Sequence, residues 1–142
     1  MRIDGGCHCG RITYRAEIDP ELVSICHCTD CQTLSGTAFR VAVRTPEESF
    51  ELLSGTPKTY VRIADSGNKR AQVFCGDCGA HLYATSVSER GSEGVGKGSK
   101  LFGLRVGTIH QRNQLPPKRQ IWCRSAQGWL GDIPGLPRTE TQ

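Results

Sequence analysis

The stretch Phe74-Cys75-Gly76-Asp77-Cys78-Gly79 decides how this chain folds, together with the earlier segment Gly6-Cys7-His8-Cys9-Gly10. Each places two thiols close together among glycines, which let the backbone bend around a shared ligand. Closed structural zinc sites take four protein ligands, commonly from two pairs that are distant in sequence. The two segments therefore predict a structural zinc that ties the first strand to the centre of the fold, held by Cys7, Cys9, Cys75 and Cys78.

A third cluster, Cys26-His27-Cys28-Thr29-Asp30-Cys31, supplies three thiols and no obvious fourth ligand. Three protein ligands with one open position are typical of catalytic zinc. The alternative is a site closed by a histidine or by Cys123, although a lone cysteine in a strand-like run is more often a small core residue. Thiolates also hold iron–sulfur clusters, but the cysteine spacings preferred by such clusters are not found here.

The cellular compartment supports metal over disulfides for these eight cysteines. The first six residues lack the apolar core of a secretory signal, and no apolar run is long enough for a membrane helix, so we expect a cytosolic protein. Cysteine clusters in a reducing cytosol more often bind metal than form disulfides. Thiols one residue apart are also badly placed to pair with each other, which favours metal over disulfides. The division into four and three cysteines then predicts two zinc ions per chain.

The composition is that of a small domain that needs stabilisation beyond its hydrophobic core. The length of 142 residues predicts one domain over 1–142, and only 37% of the residues are hydrophobic, a lean core that metal would help to stabilise. The formal charge of +4 is misleading, because seven negative thiolates and four positive charges from two Zn²⁺ reduce it to about +1. The basic residues are interspersed with acids, so no nucleic-acid partner is expected; examples are Lys69, Arg70, Lys118 and Arg119.

Short alternating segments punctuated by glycine and proline predict a mainly β fold, either sheet on sheet or barrel-like. The predicted strands are Ile12–Ile18, Phe39–Val43, Phe50–Leu53, Lys58–Ile63, Arg70–Phe74, His81–Ala84, Leu101–Val106 and Gln120–Cys123. A brief helix is predicted near Pro46-Glu47-Glu48. The Gly- and Ser-rich segment 88–100 predicts a mobile surface loop. It resembles a phosphate-binding loop, but Gly98 replaces the required hydroxyl and no helix pattern follows, which excludes that function.

Taken in order, the three cysteine clusters resemble the glutathione-dependent formaldehyde-activating family, whose domain is also called CENP-V/GFA. Further matching positions are Tyr14, Gln32, Ser35-Gly36, Leu82, Ile121-Trp122 and Gly128-Trp129. The resemblance implies a β-rich, Mss4-like fold, a sandwich or tent of short antiparallel strands stapled by zinc. It also implies carbon–sulfur lyase chemistry on glutathione and formaldehyde, with the catalytic zinc on Cys26, Cys28 and Cys31.

The remaining polar and aromatic candidates are less decisive. His8 and His27 lie between ligand positions, so an extended backbone points them away from the metal, while His81 and His110 are expected to be solvated. Trp122 and Trp129 are expected in the core or in a pocket wall. Three residues flank the open site, where they either cap thiolates by hydrogen bonds or transfer a proton: Thr29, Asp30 and Gln32.

Two functions therefore stand against each other. In the first, an enzyme binds a small thiol such as glutathione and a small aldehyde such as formaldehyde, and makes or breaks the carbon–sulfur bond between them. In the second, both zincs are structural and the chain is a binding module. The fourth ligand at the three-cysteine cluster separates the two, because an exchangeable ligand favours the enzyme.

Overall fold

A computed structural model describes residues 1–64, 67–87 and 100–141. These residues contain ten β-strands, one short α-helix and several 3-10 turns. The helix, α1, spans Thr29–Ser35. The strands are β1 (Arg2–Gly6), β2 (Thr13–Glu17), β3 (Val23–Cys26), β4 (Arg40–Pro46), β5 (Phe50–Ser54), β6 (Lys58–Ile63), β7 (Lys69–Phe74), β8 (His81–Ser86), β9 (Leu101–Arg105) and β10 (Arg119–Ile121).

The strands form two sheets. The smaller has the order β1-β2-β5, and the larger has the order β10-β3-β4-β9-β8-β7-β6. All pairs are antiparallel except β10 with β3, which is parallel. Parallel pairing is possible there because almost a hundred residues separate the two strands, leaving ample chain for the crossover. The mainly β class predicted from the sequence is confirmed.

The hydrophobic core lies between the two sheets. Strand alternation directs Ile3 and Tyr14 inward from the small sheet, and Val43 and Leu104 inward from the large one. Three aromatic rings extend this core, with Tyr83 and Phe102 stacked at a centroid distance of 4.5 Å and Phe50 tilted against both. Burying each large apolar side chain contributes about 1.5–3 kcal/mol. The small number of such residues agrees with the lean composition.

The larger sheet curls around α1. The helix follows β3 near one edge of this sheet, yet Asp30 on α1 forms an ion pair with Arg62 on β6, the strand at the other edge. Five strand spacings of about 4.8 Å would separate β3 from β6 in a flat sheet. The ion pair is compatible only with strong curvature, which brings the helix across one face of the sheet.

Most predicted strands are present, with shifted ends. The exception is Gln120–Cys123, because β10 ends at Ile121 and Cys123 begins a 3-10 turn. The brief helix near Pro46 is confirmed as a 3-10 turn over Glu47–Ser49. The mobile loop predicted over 88–100, with its resemblance to a phosphate-binding loop, lies almost wholly outside the described residues. No helix within the described ranges is long and apolar enough to cross a membrane.

Candidate functional site

Four thiols meet where two hairpin turns approach each other. Cys7 and Cys9 follow β1, and Cys75 and Cys78 lie in the turn between β7 and β8. The Cys7 and Cys9 sulfurs are 3.5 Å apart, and those of Cys9 and Cys75 are 3.8 Å apart. All four sulfurs lie within 4.8 Å of one another. The structure thus brings together the two cysteine pairs that the sequence connected.

The second of these turns is built to hold two thiols. Its backbone closes through the Gly79 N–H, which donates to the Cys75 carbonyl at 2.9 Å, and Gly79 has a φ of 72°, a left-handed conformation that suits glycine. The backbone N–H of Ala80 is the main cause that lowers the pKa of Cys78 to about 6. A cysteine with this pKa is largely thiolate at neutral pH, which is the form that binds metal.

The second cluster is formed by Cys26, Cys28 and Cys31. Cys26 ends β3, Cys28 is the N-cap of α1, and Cys31 lies in the first turn of that helix. The Cys26 and Cys28 sulfurs are 3.4 Å apart, and all three lie within 4.8 Å of one another. The Cys31 N–H donates to the Cys28 sulfur at 3.4 Å, so the cysteine takes the capping position usually held by serine or aspartate.

Both clusters have dimensions that suit zinc. With a zinc–sulfur distance of about 2.3 Å, the sulfurs of a tetrahedral site are about 3.8 Å apart. The separations above, 3.4 to 3.8 Å, are close to that value. The donor set is all thiolate, which is typical of zinc and iron–sulfur sites. These seven cysteines could therefore hold two metal ions, and their chemistry is consistent with zinc.

Within the described residues, the three-thiol cluster has no fourth protein ligand. Neither a histidine nitrogen nor the Cys123 sulfur lies with the three sulfurs. The expectation that Cys123 is a core residue is wrong, because it is exposed in the 3-10 turn after β10. That segment lies outside the core since Trp122, with a φ of 59°, turns the chain away from the strand.

Electrostatics favours negative charge in this cluster. A hydrogen bond from the Cys31 thiol is the main cause that lowers the pKa of Cys26 to about 5, and the nearby Arg40 guanidinium acts in the same direction. The same contact raises the pKa of Cys31, because it is the thiol that donates. Burial raises the pKa of Cys28. The cluster holds a thiolate at neutral pH and is prepared to bind a cation.

A cleft of about 240 Å³ opens beside Cys28. Trp122 forms part of its wall, with the Arg124 guanidinium 4.9 Å from the centroid of the indole ring. The predicted pocket-wall position is thus confirmed for Trp122. It is wrong for Trp129, which is 54% exposed and belongs neither to the core nor to this cleft. A small molecule entering the cleft would meet the Cys28 edge of the cluster.

Comparison with known proteins identifies the family of this chain. The family model described as glutathione-dependent formaldehyde-activating enzyme matches residues 2–125, most of the chain. The chain belongs to this family. Membership supports a glutathione-dependent, aldehyde-activating function in general terms and confirms the resemblance seen in the cysteine clusters. A search of the curated proteins finds no match.

The fold of this family member is also found in a solved structure. The crystal structure of a Rhodobacter sphaeroides protein, a structural-genomics target, superposes with a TM-score of 0.57 over 82% of this chain and 98% of its own. The two sequences are 16% identical. At that identity, the likeness concerns the fold alone.

Among the flanking residues of this family member, Gln32 has a clear structural role. Its amide N–H groups donate to the carbonyls of His27 and Ser125 at 2.7 and 2.8 Å, and its amide oxygen accepts from Gln127 at 2.7 Å. Asp30 is held in the ion pair with Arg62. Gln32 therefore fastens the segment that carries the cleft wall to the loop that carries the thiols.

The histidines agree with the predictions in part. His27 is buried and contacts the Gln120 side-chain oxygen at 2.8 Å through Nε2, and His8 is exposed, so neither joins a thiol cluster. His110 is exposed and pairs with Asp4. The expectation for His81 is wrong, because this ring is half-buried against Phe74 and burial lowers its pKa.

Sequence reasoning missed the arginines that adjoin the three-thiol cluster. Arg40 lies directly opposite Cys26 in the β3–β4 register, and Arg105 lies opposite Ala42, two residues further along β4. Arg70, expected on a solvated surface, is half-buried, and burial lowers its pKa. The basic residues looked scattered because strand pairing, which is not visible in the linear sequence, gathers them on one face.

Proposed function

We propose that this chain is a zinc-dependent carbon–sulfur lyase of one domain, acting in the cytosol, that makes or breaks the bond between glutathione and formaldehyde. The observation that carries the proposal is the three-thiol cluster, which has no fourth protein ligand among the described residues and borders a cleft. In this assignment Cys26, Cys28 and Cys31 hold the catalytic zinc. The structural zinc is held by Cys7, Cys9, Cys75 and Cys78.

Zinc bound at the three thiols would stabilise a substrate thiolate near neutral pH and polarise a carbonyl group. The thiolate sulfur donates an electron pair to the aldehyde carbon, and the carbon–sulfur bond forms. The π electrons of the carbonyl group move to oxygen, which takes up a proton to give the S-hydroxymethyl adduct. The reverse step returns that proton and releases the aldehyde and the thiolate. Trp122 and Arg124 line the cleft in which both reactants are brought together.

Thr29 is the proposed proton carrier. Of the three flanking residues, Asp30 is paired with Arg62 and Gln32 is fully used in holding the cleft wall. Thr29 is exposed, lines the cleft beside Cys28, and its hydroxyl makes no side-chain hydrogen bond to another described residue. A hydroxyl can both accept and donate, as a relay to the adduct oxygen requires. Thr29→Val, which keeps the shape, should lower kcat and leave thiol affinity unchanged.

The decisive experiment titrates zinc-loaded protein with glutathione and follows the zinc shell by X-ray absorption. With one four-thiol and one three-thiol site, the mean sulfur count is about 3.5 per zinc, and substrate thiolate should raise it to about 4. Binding should release one proton, counted by calorimetry in buffers of different ionisation heat. A mean of about four sulfurs per zinc, or of about 3.5 sulfurs and 0.5 nitrogen from a fixed histidine, unchanged by millimolar thiols, would instead identify a binding module with two structural zincs.

A further inference from the structure

Five arginines share one face of the larger sheet. Because directly paired residues of antiparallel strands point to the same side, the register places Cys26, Arg40 and Arg105 together on the face opposite the core. The same register continues through Gly103 and Ala84 to Gln72 and Arg70, and then to Arg62. The arginine face, as we define it, consists of Arg40, Arg44, Arg62, Arg70 and Arg105.

The part of this face nearest the thiols is enclosed. Arg40 is only 6% exposed, and Gln72 is equally buried. Burial, followed by the proximity of Arg40, lowers the pKa of Arg105 to about 9, which still leaves it charged at neutral pH. Two cations are thus held close together in a partly dehydrated environment, an arrangement that costs several kcal/mol unless charge or hydrogen bonds compensate it.

Within the described residues, that compensation is incomplete. Arg40 and Arg105 both donate to one neutral acceptor, the Gln72 side-chain oxygen, at 3.4 and 2.9 Å. The Arg40 Nη2 and Arg105 Nε atoms are buried without a partner, and no described carboxylate forms an ion pair with either guanidinium. A divalent ion on three thiolates would carry a net charge of minus one, which offsets a single arginine.

A second cleft lies against the two arginines. Both line this cleft of about 380 Å³, together with Ser35, Thr37 and Phe39. This cleft borders the end of α1, whereas the one beside Cys28 borders its start. A small anion bound here would lie against the two arginines beside the three-thiol cluster, and a shift of either side chain would turn its buried, unpaired N–H toward the anion.

We propose that Arg40 and Arg105 form a carboxylate-binding site adjoining the three-thiol cluster, so that a substrate of this chain carries a carboxylate close to its reacting atoms. Guanidinium groups bind carboxylates through charge-assisted hydrogen bonds, and each of the two arginines has one nitrogen without a partner among the described residues. The reaction in this proposal rests on the proposed function, whereas the anion site itself does not depend on it. Either reactant can supply the group, namely a thiol that carries a carboxylate near its sulfur or an α-oxo acid such as glyoxylate.

The test compares matched ligands on zinc-loaded protein. Calorimetry measures the Kd of 3-mercaptopropionate and of 2-mercaptoethanol, thiols of similar size of which only the first is an anion. We expect about ten- to a hundredfold tighter binding of 3-mercaptopropionate, the range of one charge-assisted pair. A parallel arm compares kcat/KM for glyoxylate and acetaldehyde with 2-mercaptoethanol as the thiol. A preference in the thiol arm alone places the carboxylate on the thiol, and one in the aldehyde arm alone places it on the aldehyde.

Variants connect any preference to the two arginines. Arg105→Gln should abolish the preference for the ligand that carries a carboxylate. Arg40→Lys, which retains charge and buried volume, should reduce this preference. Arg44→Gln removes an exposed arginine of the same face and should leave it unchanged. Equal affinity of the two thiols together with equal kcat/KM for the two aldehydes overturns the proposal, as does a preference that survives Arg105→Gln. If neither thiol binds, the lyase proposal fails, and propionate alone tests the anion site by NMR. Propionate binding that is lost in Arg105→Gln supports the site. No propionate binding overturns it.

Discussion

Replacing Cys75 and Cys28 by serine should separate the two clusters by their effect on stability. Cys75 is fully buried and joins the two hairpin turns. A structural zinc site contributes about 10–16 kcal/mol of apparent binding free energy, or about 3 kcal/mol for each of four ligands. Cys75→Ser should therefore cost at least about 3 kcal/mol, and loss of the ion would cost about as much as the usual stability of a whole domain, about 5–15 kcal/mol.

Cys28→Ser should behave differently, because this residue is the N-cap of α1 and serine is a preferred N-cap. The hydrogen bond from the Cys31 N–H can be kept by the new hydroxyl, so we expect a loss of about 1 kcal/mol or less in the free energy of unfolding. Metal at the three-thiol cluster should nevertheless be weakened. The site lies beside an open cleft, and a lost ligand there leaves the joint between the sheets intact.

Thermal unfolding of zinc-loaded protein measures the difference. For 142 residues the entropy of unfolding is about 0.3 kcal/mol per degree, so 3 kcal/mol lowers Tm by about 10 °C and 1 kcal/mol by about 3 °C. Cys123→Ser, at the exposed eighth cysteine, is the control and should leave Tm unchanged. Equal losses in Cys75→Ser and Cys28→Ser would mean that both ions are structural and would refute the division into a structural and a catalytic site.

Three further predictions concern metal content, the cleft wall and pH. Elemental analysis should find two zinc ions per chain, and a chelator should remove the three-thiol ion first; a single ion, or iron with visible absorption, would contradict the division of cysteines. Gln32→Ala removes three hydrogen bonds and should cost about 2–4 kcal/mol, against about 1 kcal/mol for Gln127→Ala, which removes one; equal losses in denaturant unfolding would contradict this role. Because burial lowers the pKa of His81, its contribution is complete above the usual value near 6.5 and is lost as pH falls through the lower folded pKa. His81→Asn should therefore flatten the stability profile below about pH 6.5, and an unchanged slope would argue against this contribution.

The cysteine pairs could be predicted because each pair is local and its spacing limits its chemistry. The helix α1 was missed because its residues are poor helix formers and its N-cap is a cysteine, although Gly36, at a φ of 66°, marks its end. Strand β1 was missed because two of its five residues are glycines. Gly5 is needed there, since a Cβ would lie 2.4 Å from the Thr108 carbonyl oxygen.

The arginine face was hidden for a different reason. Arg40, Gln72 and Arg105 come from three strands, and the contacts among them depend on which strands pair and in what register. A shift of one residue in β4 would point Arg40 to the core and Val41 to the thiols. Periodicity predicts that a strand exists but not its partner, so an assembly of this kind becomes visible only with the fold.

The two thiol clusters differ in how much chain they span, and this matters during synthesis. Cys26, Cys28 and Cys31 lie within six residues, whereas the other cluster needs both Cys7 and Cys78. A ribosome adding about 5–20 residues per second exposes the shorter cluster roughly 2 to 9 seconds before the longer one can be completed. Under the proposed assignment, the nascent chain can take its catalytic ion from the cell's zinc carriers while the ion that fixes its fold has no complete site to enter. Metal loading would thus run in the opposite order to structural importance.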